Sequence, residues 1–503
     1  MKRNHQKTEI ENFADFIKQH NAKKIVSNSE HVDEDSGFIA ICGKKHDGNK
    51  FIEEAALRGA KFILTDSEIY FEKYRDLISS PIYLVDDTRK AESLCYISLM
   101  PDAPSNLFAV TGTNGKSSTV DFIFQLLKLQ GLSSSCIGTL GVKLWNEKIK
   151  TEEQRSHESG LTTFSAKELA ETLSYLSKCE IDYCAMEASS IGLDQERLHG
   201  RIFKAAGFSS FSQDHLDYHS SMKEYLECKL KLFSENCSDE STIVINNDMP
   251  EFGDISSFLQ KIKRPFITYG KQNADFQYSI LEQNISGQRF ILKHENAEYD
   301  LSTKILGEFQ VANIILSLAM LSGSGFGLQD IAGFVSELNA PEGRLERVGR
   351  SGLAQNIFVD YAHTPDALEK VLIELKQIAN MSKRKLICIF GCGGDRDKSK
   401  RGKMGIVASG VADKVIITDD NPRTEDPSQI RGEILQYCKN ALEEGDRQKA
   451  IKLGIDLMEE GDILLIAGKG HESYQIIGSE KFPFDDKKVA CDILAQDSIL
   501  RSE

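Results

Sequence analysis

No stretch of the 503-residue chain holds enough consecutive apolar residues to cross a bilayer. Residues 1–24 are polar and charged, without the apolar segment that a secretory signal requires. The eleven cysteines (Cys42, Cys95, Cys136, Cys179, Cys184 and onward) form no CxxC pair, which fits reduced thiols better than a disulfide frame. There is no internal repeat and no low-complexity tract. Positive charge is in deficit: 61 Lys and Arg stand against 76 Asp and Glu, a net charge of −15. That balance speaks against a general nucleic-acid binder but leaves room for local basic pockets that hold anions. Together these absences predict a cytoplasmic enzyme, and the length predicts two to four domains with real cores.

What is present centres on residues 106–131, NLFAVTGTNGKSSTVDFIFQLLKLQG. A short apolar run leads into Gly112, Thr113, Asn114, Gly115, Lys116, Ser117 and Ser118. An amphipathic segment follows with Val120, Ile123, Phe124 and Leu127 at helical spacing, and Gly131 ends it. Strand, glycine loop and helix make a phosphate grip. Loop amides and the helix N-terminus donate N–H groups, a lysine reaches the outer phosphates, and the serine after it can hold Mg²⁺. The usual pattern has a glycine five residues before Gly115; Val110 stands there, so the loop is a compact variant.

Three α/β domains are expected: a small N-terminal one (1–103), a central phosphate-loop ATPase with a mostly parallel sheet (104–341), and a C-terminal Rossmann-like one (342–503). In the first, residues 37–42 and 61–65 read as strands, 51–58 as a helix and 46–48 as a turn. In the second, residues 181–187 are an apolar run ending in Glu187, a carboxylate placed to serve Mg²⁺ at a strand's C-terminal end. His215 and His219 stand four apart, but no glutamate follows His215, so a zincin motif is excluded. Lys229 lies in a helical segment with Leu226, Leu230 and Phe233, where the bland alternative is a snorkelling side chain. Residues 307–320 read as a helix carrying Asn313, and residues 341–344 as a turn and hinge bearing Arg344. The last domain alternates strands (357–360, 386–390, 415–418, 463–467) with helices starting at Thr364-Pro365, near Ser399 and at Asp426-Pro427. Its special residues follow the strands: 361–363, 391–397, 420–423 and 468–472. Four polar turns at one sheet edge predict a pocket.

Taken in order, TGTNGKSS, MEASSIGLDQERL, DHLDYH with ECK behind it, VDYAHTPDALEKVL, FGCGGDRDKSKRGKMG, TDDNPRTEDP and AGKGHE resemble the Mur ligases of peptidoglycan synthesis. The resemblance implies that ATP phosphorylates the γ-carboxylate of UDP-MurNAc-L-Ala-D-Glu and that the amine of meso-diaminopimelate attacks the acyl phosphate. It implies that Lys116 and its loop hold the β- and γ-phosphates. Ser117 and Glu187 would serve one Mg²⁺, and His215 a second. Asn313 would meet adenine, and Arg344 and His363 would close on the nucleotide. Lys229 is implied to be carbamylated (N6-carboxylysine), because a carbamate can ligate metal where a bare ammonium would be repelled.

For the sugar peptide the resemblance implies Thr162, Thr163, Ser189, Gln195 and Arg197. Of the family's Asp-Ser-Arg near uridine, Asn28, Ser29 and Glu30 keep only Ser29. Ile191 and Gln310 also depart, standing where histidine and asparagine are common. For the amino acid it implies Arg396, Asp420, Asn421, Pro422, Arg423, Gly468 and Glu472. Arg423 offers a planar fork for the extra carboxylate that distinguishes diaminopimelate from lysine, and Glu472 suits the distal ammonium. The alternatives are a lysine-adding homologue, a folate-polyglutamate ligase, and a phosphate-loop module that binds nucleotide without ligating. A monomer acting on small molecules is expected.

Overall fold

The computed structural model describes residues 10, 12–43, 46–155, 160–349, 356–438 and 440–500. Its strands fall into a four-stranded, an eleven-stranded and a six-stranded sheet, plus a two-stranded hairpin.

The first sheet runs in chain order, Lys24–Val26, Ser36–Ile39, Phe62–Thr65 and Ile82–Leu84, every pair parallel. The expected strand at 37–42 stops at Ile39, because the chain turns there: Ile41 N–H donates to Ile39 O, and Gly48 N–H returns to Ile41 O. The expected helix at 51–58 is Ile52–Leu57, preceded by one tight turn at Gly48–Phe51.

The large sheet has a parallel centre with antiparallel margins. Ser134–Gly138, Tyr183–Glu187, Asn106–Thr111, Ala205–Phe208, Thr242–Asn246 and Ile267–Gly270 lie side by side in that order, all parallel. The period-two alternation of a strand decides which layer each residue serves. In Asn106–Thr111, Phe108 and Val110 pack toward the helices Lys116–Leu129 and Glu308–Gly323. Leu107 and Ala109 pack toward Ala166–Lys178, Met222–Glu235 and Phe252–Lys261 on the opposite face. The parallel centre is therefore dry on both faces, and its strand ends are left for polar work.

The third sheet runs Glu346–Arg347, Ile357–Asp360, Ile463–Ala467, Leu386–Phe390, Lys414–Ile417, Leu442–Glu443, parallel except for the first pair. Pro365–Met381, Ser399–Val411 and Pro427–Leu435 cover one face, and Arg447–Asp456 and Asp486–Leu500 the other. Two helices begin as the sequence predicts, with Thr364 and Asp426 capping and proline in the first turn. The short margin strands and the hairpin Tyr474–Ile477/Glu480–Pro483 are not anticipated from the sequence, because two to four residues carry too little periodicity.

Candidate functional site between the central and third domains

The phosphate loop leaves the strand Asn106–Thr111 and enters the helix Lys116–Leu129. Gly112 (φ +143°) and Gly115 (φ +89°) allow the loop to close against its neighbours: a Cβ on Gly112 would lie 2.1 Å from Ser209 Oγ, and one on Gly115 2.4 Å from Asn313 Oδ1. Thr113 N–H donates to Ser210 O (2.7 Å), and Ser209 Oγ donates to Asn114 O (2.6 Å). The loop is thus tied to the residues that follow Ala205–Phe208, and those lead on to Asp214 and His215.

Two lysines converge beneath this loop. Lys116 Nζ donates to Gly112 O (2.9 Å) and Thr113 O (2.8 Å); Lys229 Nζ donates to the same Gly112 O (2.7 Å). Lys229 is 1% exposed and does not snorkel to water. Its Nζ lies 4.4 Å above the Tyr225 ring. Burial pulls its ammonium well below the ordinary range, and the Lys116 charge adds to the effect; burial lowers Lys116 too. Glu187, also buried, accepts from Thr139 N–H (2.7 Å) and Thr139 Oγ1 (3.3 Å), both neutral donors. His215 takes a left-handed backbone (φ +53°) with Nε2 3.5 Å from Asp214 Oδ2; burial keeps its ring toward the neutral form.

Beside Glu187 runs one hydrogen-bonded ridge. Thr139 Oγ1, its proton directed at Glu187, lies 3.3 Å from Thr162 Oγ1 and can accept from it, and Thr163 Oγ1 donates to Glu187 O (2.8 Å) and accepts from Ser189 N–H (2.8 Å). Arg197 donates to Thr163 O (2.6 Å) and Gln195 Oε1 (2.7 Å). The structure brings Thr162, Thr163, Ser189, Gln195 and Arg197 together. Ser29 is not part of the ridge: its hydroxyl donates to Glu54 (3.0 Å) within the first domain.

The third domain reaches the loop through a relay. Asn313 Nδ2 donates to Gln310 Oε1 (3.1 Å), Gln310 Nε2 to Arg344 O (3.3 Å), and the Arg344 guanidinium to Ser117 Oγ (3.1 Å). Arg344 also lies over the Tyr361 ring at 4.6 Å. Asp360 accepts from Leu345 N–H (2.5 Å) and Ala362 N–H (2.7 Å), clamping the residue after Arg344 to the turn that carries His363. Burial raises Asp360 to about 6 and lowers His363 to about 4. The structure brings Gln310 and Asp360 into this cleft, residues to which the sequence reading assigns no role. Asp360 had a usable signal, since it ends a parallel strand as Glu187 does.

At the far edge of the third sheet Asn421 Nδ2 donates to Glu472 Oε2 (2.9 Å). Lys469, fully buried, donates to Glu472 Oε2 (3.1 Å) and Asn421 Oδ1 (3.2 Å). Gly468 (φ +114°) passes close to Asp420: a Cβ there would lie 2.8 Å from Asp420 Oδ2. Arg423 (φ +52°) donates from its guanidinium to Gly394 O (2.8 Å), and its backbone N–H donates to Ile476 O (3.1 Å). The hairpin thus backs the 420–423 turn. Pro422 is buried there, and Arg396 is exposed on the facing 391–397 turn.

The family described as Mur ligase middle domain matches residues 110–321, and Mur ligase, glutamate ligase domain, matches residues 343–470. The chain belongs to the Mur ligase family. This Mur ligase is 41% identical to the UDP-N-acetylmuramoyl-L-alanyl-D-glutamate–2,6-diaminopimelate ligase of Rickettsia prowazekii (strain Madrid E), over 98% of this chain and 99% of that one. It is 40% identical to the ligase of the same description from Rickettsia montanensis, over 95% and 97%. A solved structure of a UDP-N-acetylmuramoyl-L-alanyl-D-glutamate–2,6-diaminopimelate ligase superposes with a TM-score of 0.67 at 31% identity, covering 95% of each chain.

Proposed function

We propose that this Mur ligase joins meso-diaminopimelate to the D-Glu γ-carboxylate of UDP-MurNAc-L-Ala-D-Glu, converting ATP to ADP and phosphate. One observation carries the reading: Arg344 of the third domain donates to Ser117 of the phosphate loop, so nucleotide phosphates and the amino-acid turns share one cleft. The γ-phosphoryl group passes to the γ-carboxylate oxygen, giving an acyl phosphate. The amine then adds to that carbonyl carbon and gives up a proton, and the C–O bond to phosphate breaks with its electron pair leaving on the phosphate oxygen. Lys116 and the loop amides hold the phosphates, Asn313, Arg344 and His363 the rest of the nucleotide, and the Thr162–Arg197 ridge the sugar peptide. Catalysis by such parts is positioning and charge stabilisation.

The donor set fits Mg²⁺. Ser117 and Glu187 offer hard oxygens, and His215 is held toward its neutral, ligating form. Lys229 fits as a carbamate, since two ammonium groups directed at one carbonyl oxygen repel each other, whereas an anion there removes the conflict. These four residues would hold the metal, which neutralises phosphoryl charge when bound. In the third domain Arg423 supports reading of the extra carboxylate and Glu472 of the distal ammonium, with Arg396, Asp420, Asn421, Pro422 and Gly468 shaping the pocket. Domain boundaries near 103 and 341, a monomer, and action in the cytoplasm belong to the same reading. Among the described residues no helix is long and apolar enough to cross a membrane.

The test is phosphate release with ATP, Mg²⁺ and the sugar peptide, running meso-diaminopimelate against L-lysine. Release and product with diaminopimelate alone are expected. Release with lysine instead would overturn the role of Arg423, and nucleotide hydrolysis needing neither acceptor nor amino acid would overturn the ligase reading.

A further inference from the structure

We propose that Asp366 is a positioning residue, a latch that couples the third domain to the phosphate loop. It sits in the first turn of the helix Pro365–Met381, and its Oδ2 accepts from Asn114 Nδ2 (3.1 Å) and Ser212 Oγ (3.0 Å), both in the central domain. Lys370, one turn on, donates to the same oxygen (3.0 Å) and steadies the carboxylate from its own helix. Neither central partner is incidental. Asn114 is the tip of the phosphate loop. Ser212 is stitched to that loop by a reciprocal pair, Thr113 Oγ1 donating to Ser212 O (3.1 Å) and Ser212 N–H to Thr113 Oγ1 (3.0 Å).

One carboxylate oxygen from the third domain therefore gathers the loop and the segment leading to Asp214 and His215. It takes its bonds from side chains, not from the loop's backbone amides. Those amides are what a helix N-terminus offers to phosphate, so the latch and a nucleotide draw on different donors. The arrangement also has a direction. Any shift of Asn114 or Ser212 is transmitted to Asp366 and hence to the helix that begins two residues after His363. The same two domains are also joined by Arg344 to Ser117 and, farther along the Asp366 helix, by Glu374, which accepts from Gln283 Nε2 (2.7 Å) and Glu308 N–H (3.1 Å), so Asp366 is the tie of that helix to the phosphate loop itself. Separated ties fix an orientation that a single one leaves free to swivel. Charge-assisted bonds of this kind are among the stronger ones across an interface.

The inference rests on the ligase reading for its effect on turnover, and on geometry alone for its effect on shape. The test uses the full chain as Asp366→Ala, Ser212→Ala, the double variant, and Asp366→Asn, which keeps one oxygen acceptor. The Asp366 side chain is 33% exposed, so these changes leave the core intact. With ATP, sugar peptide and amino acid, Asp366→Ala is expected to lower kcat about tenfold with the amino-acid KM unchanged. Ser212→Ala loses less, Asp366→Asn falls between, and the double variant is no worse than Asp366→Ala. By small-angle scattering with a non-hydrolysable ATP analogue, wild type compacts and Asp366→Ala does not. Losses that multiply in the double variant, or full compaction of Asp366→Ala, would overturn the latch. If wild type ligates no amino acid, the scattering comparison still decides it.

Discussion

Two buried lysines, one in each domain of the cleft, live in opposite circumstances. Lys469 is fully enclosed and matched: Glu472 and Asn421 take its ammonium, and the hairpin seals the group. Lys229 is as deeply enclosed, yet it meets a carbonyl oxygen already claimed by Lys116. A matched buried charge fixes the geometry of its neighbours. An unmatched one is costly, and it persists where a ligand or a modification supplies the missing counter-charge. On the proposed reading the amino-acid turns are built in advance, whereas the phosphate site is completed by what enters it.

The widest separation between the two comes from deleting each ammonium. Lys229→Met is expected to abolish turnover, about a thousandfold or more, while raising the unfolding midpoint of bicarbonate-free protein, in which the unmodified amine is buried with no anion beside it. Activity assays alongside denaturant melts check both halves. Carbon-13 NMR of the wild type in labelled bicarbonate should show a carbamate signal that Lys229→Met lacks. Retained turnover would remove Lys229 from the site and erase the contrast.

Arg423→Ala sharpens the other side. It should lower kcat/KM for diaminopimelate by about a hundredfold and leave the KM for ATP nearly unchanged, since the guanidinium serves only the third domain's turns. Parallel titrations of both substrates decide it, and equal losses in both would sink the specificity role.

Sequence reading succeeded and failed along the same line. Strand, loop and helix around Lys116 were legible because glycines, a lysine and an amphipathic segment are local signals. So were the polar turns after the third domain's strands, because strand ends at a parallel sheet edge share one address. Lys469 was passed over although it lies inside a quoted motif, since only the fold shows that it is buried against Glu472. Gln310 counted as a departure of no consequence, yet it joins Asn313 to Arg344 across the domain boundary. Pairings between residues more than thirty positions apart leave no periodicity to read. Asp360 is different: the reasoning that singled out Glu187 applied to it unchanged.

A middle-sized effect is expected from Lys469→Met. The substitution leaves Glu472 and Asn421 without their cation, and removing one partner of a buried pair costs on the order of 2 kcal/mol when the other partner keeps some solvent, as Glu472 does. Stability should fall, the reverse of Lys229→Met, and the KM for the amino acid should rise with kcat less affected. A Lys469→Met protein as stable as wild type would mean that the pair is not what holds these turns.

The smallest net effect in the wild type concerns the strand end where the two domains meet, because two residues three positions apart act there with opposite signs. His363 is held down to about 4 by burial, with Lys400 adding to it. Below an unfolded value of 6.5 the unfolded chain takes up a proton that the folded one refuses. Stability is therefore lost as pH falls from 6.5 toward 4, by about 3 kcal/mol at the limit. Asp360 is raised to about 6 by burial, against the pull of Arg344 and its two backbone bonds. Its folded form keeps a proton that the unfolded chain releases above 3.8, so that contribution is present below 3.8 and lost as pH rises through 6, again by about 3 kcal/mol at the limit. Between pH 4 and 6 the two slopes oppose each other in the wild type. Relative to it, His363→Asn should grow less stable as pH rises across that range, and Asp360→Asn more stable. Denaturant midpoints at pH 4.5 and 6 read both slopes. Parallel shifts would mean that the cleft does not bury these two groups together, and that the third domain does not rest on the phosphate loop as Arg344 and Ser117 indicate.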